Sequence, residues 1–133
     1  MEPTSTEILV LGAGPGGYTA AFYAADKGKK VTLVEQNPRL GGVCMNVGCI
    51  PSKALLHATA VMRESKESSK RGIEFGALNL NLDKLRAWKE SIVEKLGQGI
   101  KTLAQHRHVE VVHGRGHFED SQTLRVETDA GQK

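Results

Sequence analysis

An α/β fold is what this sequence predicts: a parallel sheet with crossover helices, leading into an antiparallel β-meander. Three observations carry that expectation. A strand–helix–strand pattern fills residues 7–35, and a glycine cluster interrupts it directly after the first strand. Beyond residue 108 the helical periodicity gives way to short β-branched runs punctuated by glycine. Strands that alternate with helices call for parallel pairing, because a parallel neighbour can be reached only through a crossover connection.

Glu7–Gly12 (EILVLG) is a short apolar run of the kind that lies buried on both faces of a parallel sheet. Gly16–Lys27 is Ala-rich and helical, and Gly28 stands where a helix C-cap glycine belongs. Val31–Glu35 (VTLVE) is a β-branched strand, completing a unit of about thirty residues, the length a strand–helix–strand unit needs. Gln36–Val43 reads as a loop, with Pro38, Gly41 and Gly42. From Cys44 to Ser69 the pattern is helical. Pro51 fits only in a first turn, which places the helix start close to Cys49.

Asn81 or Asp83 can cap a long amphipathic helix with apolar positions at Leu82, Leu85, Trp88, Ile92, Leu96, Ile100 and Leu103, weakened near its end by Gly97 and Gly99. That stripe is expected in a core. Val109–His113, His117–Glu119 and Leu124–Thr128 are strand candidates, separated by Gly114, Gly116 and Asp120–Ser121. The final Asp129–Lys133 (DAGQK) is a hairpin-turn signal without a returning strand, so the chain is expected to be an incomplete part of a longer protein.

One domain, residues 1–133, is the natural count for this length. A net charge of +3 is modest, and basic residues are dispersed except in Ser65–Arg71 (SKESSKR), which reads as a solvated face. Aromatic residues make up 5%, too few for a base-stacking surface, so nucleic acid is not an expected partner. The N-terminus lacks a basic n-region and the run Ile8–Leu11 is too short for a signal or a membrane span; the expected location is cytoplasmic. In that compartment ordinary thiols stay reduced, so the two cysteines, Cys44 and Cys49, read as a redox pair rather than a structural staple.

The glycines Gly12, Gly14 and Gly17 form G-x-G-x-x-G between the first strand and its helix. Gly12 suits the tight turn, Gly14 the close approach of a pyrophosphate, and Gly17 the packing of helix on strand, while the helix N-terminus offers amides to phosphate. Glu35 closes the second strand eighteen residues after Gly17, where a carboxylate can accept bonds from an adenosine ribose and repel a 2′-phosphate. The expectation is a Rossmann-like dinucleotide site, open at this point between FAD and NAD.

Cys44 and Cys49 stand in C-x-x-x-x-C spacing with Gly48 between them. Two small buried residues, or half of a zinc site completed by histidines, are the plainer alternatives. The histidines His106, His108, His113 and His117 lie far along the chain, and no C-x-x-C accompanies them, so no metal is expected. A position at a helix start, where the dipole lowers a thiol pKa, favours redox chemistry, as does the backbone freedom of Gly48. A dithiol–disulfide couple exchanges two electrons, as a flavin does. His57 is expected to be packing or surface.

The segment Gly41–Lys53 (GGVCMNVGCIPSK), continued by ALLHAT, strongly resembles the active-site segment of class I pyridine nucleotide-disulfide oxidoreductases. LGAGPGGYTAA and VVHGRGHF match the same family, so the resemblance runs from Ile8 to about Thr128. It implies FAD as cofactor and NAD as co-substrate. Gly12, Gly14, Pro15, Gly16 and Gly17 would line the FAD pyrophosphate, and Glu35 would bind the adenosine ribose. Gly41 and Gly42 would pass the phosphates and ribitol, and Gly116 would lie against the adenine. Cys44 would exchange with substrate, Cys49 would contact the flavin, and Lys53 would support the reduced, anionic flavin.

Ser52 and the following Ala54-Leu55-Leu56-His57 point to the branch that oxidises protein-bound dihydrolipoamide in 2-oxo-acid dehydrogenase complexes, which works as a homodimer. A glutathione- or mercuric-reductase-like flavoprotein and a non-catalytic FAD-binding piece are the alternatives. Val43 departs from the Thr of related reductases, and Met45 from their Leu or Val. No second glycine fingerprint for NAD and no interface domain follow. The chain alone is therefore not expected to complete turnover.

Overall fold

The computed structural model describes residues 4–128 and the backbone of 131–132. Its elements are β1 (Ile8–Leu11), α1 (Pro15–Asp26), β2 (Val31–Glu35), α2 (Gly42–Asn46), α3 (Cys49–Glu67), α4 (Leu82–His106), β3 (Glu110–His113), β4 (Arg115–Phe118), β5 (Leu124–Thr128) and β6 (Gly131–Gln132). One parallel sheet has the order β1-β2-β3 and one antiparallel sheet the order β4-β5-β6.

The β-branched sequence of β2 takes the central place, pairing Ile8 with Val31 on one side and Thr32 with Glu110 on the other. All five of its residues are buried, as a strand covered on both faces requires. Helix α1 opens with Pro15 after Gly14 and stops at Lys27, where Gly28 turns the chain at φ 78°. The core joins Ala13, Ala21 and Phe22 to Val31 and Leu33 of the sheet and to Ile100, Ala104 and Val109 beside it. Arg107, just past α4, forms an ion pair with Asp26 at 3.0 Å and lies 5.3 Å over the Phe22 ring, fastening the two helices together.

Three expectations change. The first strand of the tail does not belong to the meander: it is β3, parallel to β2, because α4 carries the chain back across the sheet as a second crossover. Gly116 separates no strands; it sits inside β4, opposite Val126 of β5. The returning strand thought absent exists, since Gly131 pairs with Thr128, although the turn signal at residues 129–130 and Lys133 lie outside the described residues.

The long helix buries its expected stripe only in part, at Ile100, with Leu85 and Ile92 half-buried. Val93, Ile100 and Ala104 are its buried residues, while Leu82, Trp88, Leu96 and Leu103 of the expected stripe remain exposed. Packing needs only the arc that meets α2, α3, α1 and β3, and that arc overlaps the run of largest side chains only in part. Asn81, not Asp83, is the N-cap, accepting from the Lys84 amide at 2.9 Å. As Pro51 requires, α3 starts at Cys49 with that proline in its first turn, and the helical pattern expected from Cys44 is interrupted at Val47–Gly48, which sets α2 apart. Among the described residues no helix is long and apolar enough to cross a membrane.

Candidate functional site

The first turn of the site joins β1 to α1. Gly12 has φ 93°, a left-handed conformation that side chains resist, and its amide bonds Val34 O at 2.7 Å. Gly17 answers a different need: a Cβ there would lie 1.8 Å from Gly12 O. The helix can approach the strand end only because that atom is missing. Gly14 caps α1 with no side-chain hydrogen bond, and the first turn carries no acidic residue, so its amides face outward without an acceptor from a capping side chain.

Glu35, at the end of β2, is buried and turned toward this turn. Its Oε2 accepts the Ala13 amide at 2.8 Å, and its Oε1 accepts both the backbone and side-chain N–H groups of Asn37, each at 2.8 Å. Burial alone would raise the carboxyl pKa. Hydrogen bonds from Asn37, Ala13 and Gln36 outweigh that effect and hold it below the ordinary carboxylate value. Asn37 in turn offers its carbonyl to His113 Nδ1 at 3.0 Å. Sequence reasoning missed Ala13, Asn37 and His113. The only available sign was an Asn two residues past a strand-end Glu, the spacing at which side chains bond nearby backbone.

The second turn begins at Leu40, which is buried. Gly41 and Gly42 are consecutive left-handed residues, at φ 106° and 61°. The Gly41 amide bonds Ala13 O at 2.8 Å, so the two turns are stitched by backbone. They also touch: a Cβ on Gly42 would be 2.6 Å from the Gly14 Cα, and one on Gly41 would strike Met45 Sδ at 2.7 Å. Two residues beyond this contact α2 presents Cys44. The chain then doubles back through Val47–Gly48, and Cys49 opens α3, where Ser52 N bonds Gly48 O at 3.1 Å. A Cβ on Gly48 would be 3.0 Å from Val43 O, showing how tightly this fold-back is drawn.

Both thiols are free; Cys44 is half-buried and Cys49 exposed. Hydrogen bonding to the Cys49 side chain, with burial and the Cys49 charge, pushes the Cys44 thiol up from its ordinary value. The Cys49 backbone and the Lys53 charge pull weakly the other way. The expectation of a thiol lowered by a helix start therefore fails at Cys44, which lies at the third position of a five-residue helix and faces another sulfur.

The structure thus gathers Gly12, Gly14, Pro15, Gly16, Gly17, Glu35, Gly41 and Gly42 around the contact of the two turns, with Cys44, Cys49 and the exposed Lys53 following on. Gly116 stands apart, behind the end of β1. A Cβ there would lie 2.7 Å from Leu11 Cδ1 and 2.9 Å from Leu124 Cδ2, both at the ends of flexible side chains. His106 and His108 are exposed around the end of α4, and His57 is exposed on α3. Among the described residues no three His, Cys, Asp or Glu side chains converge on one point. A cleft of about 470 Å³ runs from Pro38–Leu40 past Gly97 and Lys101 to His113.

Comparison with known proteins agrees with this arrangement. Residues 6–132 match the family model described as pyridine nucleotide-disulphide oxidoreductase. Among curated relatives, the dihydrolipoyl dehydrogenase of Haemophilus influenzae is 52% identical over 119 residues, 90% of this chain and 25% of that protein. Those of Vibrio cholerae and Staphylococcus aureus are 46% and 48% identical, over 95% and 93% of this chain and 26% of each relative. The chain spans about a quarter of the length of these relatives.

Proposed function

The chain belongs to the pyridine nucleotide-disulphide oxidoreductase family, and from that premise we propose that it is the FAD-binding and redox-disulfide segment of a dihydrolipoyl dehydrogenase. The observation that carries the proposal is the joining of a dinucleotide fingerprint to a thiol pair through the Gly14–Gly42 contact. The relatives' shared name supports the lipoamide branch over a glutathione- or mercuric-reductase-like one.

The residues present fit FAD. The α1 N-terminus, with no capping side chain and no acidic group, suits a pyrophosphate, and Gly12, Gly14, Pro15, Gly16, Gly17, Gly41 and Gly42 leave backbone rather than side chains facing it. Glu35 would accept ribose hydroxyls with the lone pairs that Ala13 and Asn37 leave free, and its retained negative charge disfavours a 2′-phosphate. The Gly116 backbone would take the adenine. Lys53 would hold positive charge beside the thiols.

When bound, FAD supplies a two-electron acceptor and donor. The protein's own chemistry is dithiol–disulfide exchange. A substrate dithiol gives two electrons and two protons to the oxidised Cys44–Cys49 pair, the substrate leaving as its disulfide and the pair as two thiols. Cys44 is the proposed exchanging thiol. Cys49, the more exposed of the two, is the proposed flavin neighbour. In the longer protein, NAD would be the final acceptor, lipoyl domains of 2-oxo-acid dehydrogenase complexes the partners, and a cytoplasmic homodimer the working form.

Titrating the purified chain with FAD should quench flavin fluorescence. Anaerobic reduction by dihydrolipoamide should add a long-wavelength absorption band that Cys49→Ser removes. A chain that leaves flavin fluorescence unchanged, or a Cys49→Ser variant that keeps the band, would overturn the proposal. The chain alone should not sustain lipoamide-dependent NADH formation.

A further inference from the structure

Asn46 is the last residue of α2 and lies between the two cysteines in sequence. Its Nδ2 donates to Leu40 O at 3.1 Å and to Gly42 O at 2.9 Å, the carbonyls on either side of Gly41. The orientation of the amide is forced: reversed, it would set an oxygen against two carbonyl oxygens, which offer no proton. The cost of this orientation is visible, because Oδ1 is inaccessible to solvent and has no donor. A buried acceptor left without a donor is unfavourable, and an apolar side chain of the same size would avoid it. Asn is therefore matched at this position to the two bonds it donates, not to its own burial.

Those bonds brace a strained piece of backbone. Gly41 and Gly42 are both left-handed, and Gly42 is the residue pressed against Gly14. Cys44 lies between the brace and the turn, and the fold-back to Cys49 starts immediately after Asn46. We propose that Asn46 is a positioning residue of the redox pair, holding the Leu40–Gly42 turn so that Cys44 stays within reach of Cys49. The proposal rests on the redox reading of that pair.

The test needs no cofactor. The reduced chain is equilibrated with oxidised and reduced glutathione. Cys44 and Cys49 together lose two protons and two electrons to form one S–S bond, and one oxidised glutathione becomes two reduced ones. Asn46→Leu removes both donated bonds, and Asn46→Asp replaces the donor by a carboxylate facing two carbonyls. Each should lower the equilibrium constant for the intramolecular disulfide about tenfold, the factor that two lost neutral hydrogen bonds amount to once the thiols are no longer held together. Val47→Ala, at a neighbouring side chain that is 74% exposed, should leave the constant unchanged.

Asn46 variants that match the parent constant would overturn the inference while leaving the redox reading intact. A parent chain that forms no intramolecular disulfide would sink both. If neither variant folds by circular dichroism, the unaltered chain decides: its Asn46 side-chain amide protons must exchange slowly with solvent, and rapid exchange overturns the brace.

Discussion

The two glycine turns that meet at Gly14 and Gly42 are built on opposite plans. The first, Gly12–Gly17, is held by the sheet: Gly12 bonds Val34, Ala13 bonds Glu35, and the helix lies so close that Gly17 has no room for one carbon. The second, Leu40–Gly48, is tied to the sheet through Ala13, anchored in the core by Leu40 and braced within itself by Asn46, with an exposed Val43, Val47 and Cys49 around it. A turn held by a buried strand is rigid and carries backbone donors. A turn that leaves Val43, Val47 and Cys49 exposed can present reactive side chains. On the proposed reading, the difference suits the first to phosphate recognition and the second to thiol chemistry.

Substitutions can break that contrast, beginning with the most damaging. Gly17→Ala should destabilise the chain by about 3 kcal/mol and abolish FAD binding, because Gly12 O stands where the methyl must go; urea unfolding measures the first and flavin quenching the second. A loss below about 1 kcal/mol would mean that the first turn has slack, contrary to the contrast drawn. Gly42→Ala should cost about 2 kcal/mol, combining left-handed strain with a 2.6 Å approach to Gly14 that the short α2 can partly relieve.

Glu35→Gln should cost about 1.5 kcal/mol near neutral pH, since it replaces a charged acceptor of three N–H groups. The Glu35 pKa is lowered on folding, so its contribution is complete above the ordinary value of 4.5 and is lost as pH falls through the lower folded value. The stability gap between parent and Glu35→Gln should therefore close in acid, from pH 4.5 downward, in unfolding curves taken across that range. A gap constant with pH would remove the carboxylate from the first turn's support.

Smallest in energy is the effect at Cys44. Its raised thiol pKa predicts that iodoacetamide labelling of this residue, followed by mass spectrometry, accelerates only above the ordinary thiol value of 9.0. Rapid labelling near neutrality would show that the hydrogen bond to Cys49 does not control it.

Much of this was legible in the residues. The G-x-G-x-x-G spacing between a β-branched strand and an Ala-rich helix led to the correct turn, and C-x-x-x-x-C with an intervening glycine led to a pair that does meet. Less legible was anything set by a partner remote in the chain. The largest apolar side chains of α4 suggested the stripe from Leu82 to Leu103, yet of that stripe only Ile100 is fully buried, joined by Val93 and Ala104, because the buried face is set by where α1, α2, α3 and β3 approach. Val109–His113 looked like part of a meander, since nothing local distinguishes a strand that pairs in parallel with β2 from one that pairs with its successor.

By itself the sequence determined what local backbone physics can impose: the order of the main strands and helices, the glycine turns between them, and the spacing of the two cysteines. Tertiary structure alone decided the rest. It turned Glu35 inward to hold Ala13, set Gly42 on Gly14 across twenty-eight residues of chain, and gave Asn46 two carbonyls to bind. The physical reason is directional. A hydrogen bond or a close contact depends on where another segment's atoms lie, and those positions are set only when the sheet and the helices have packed.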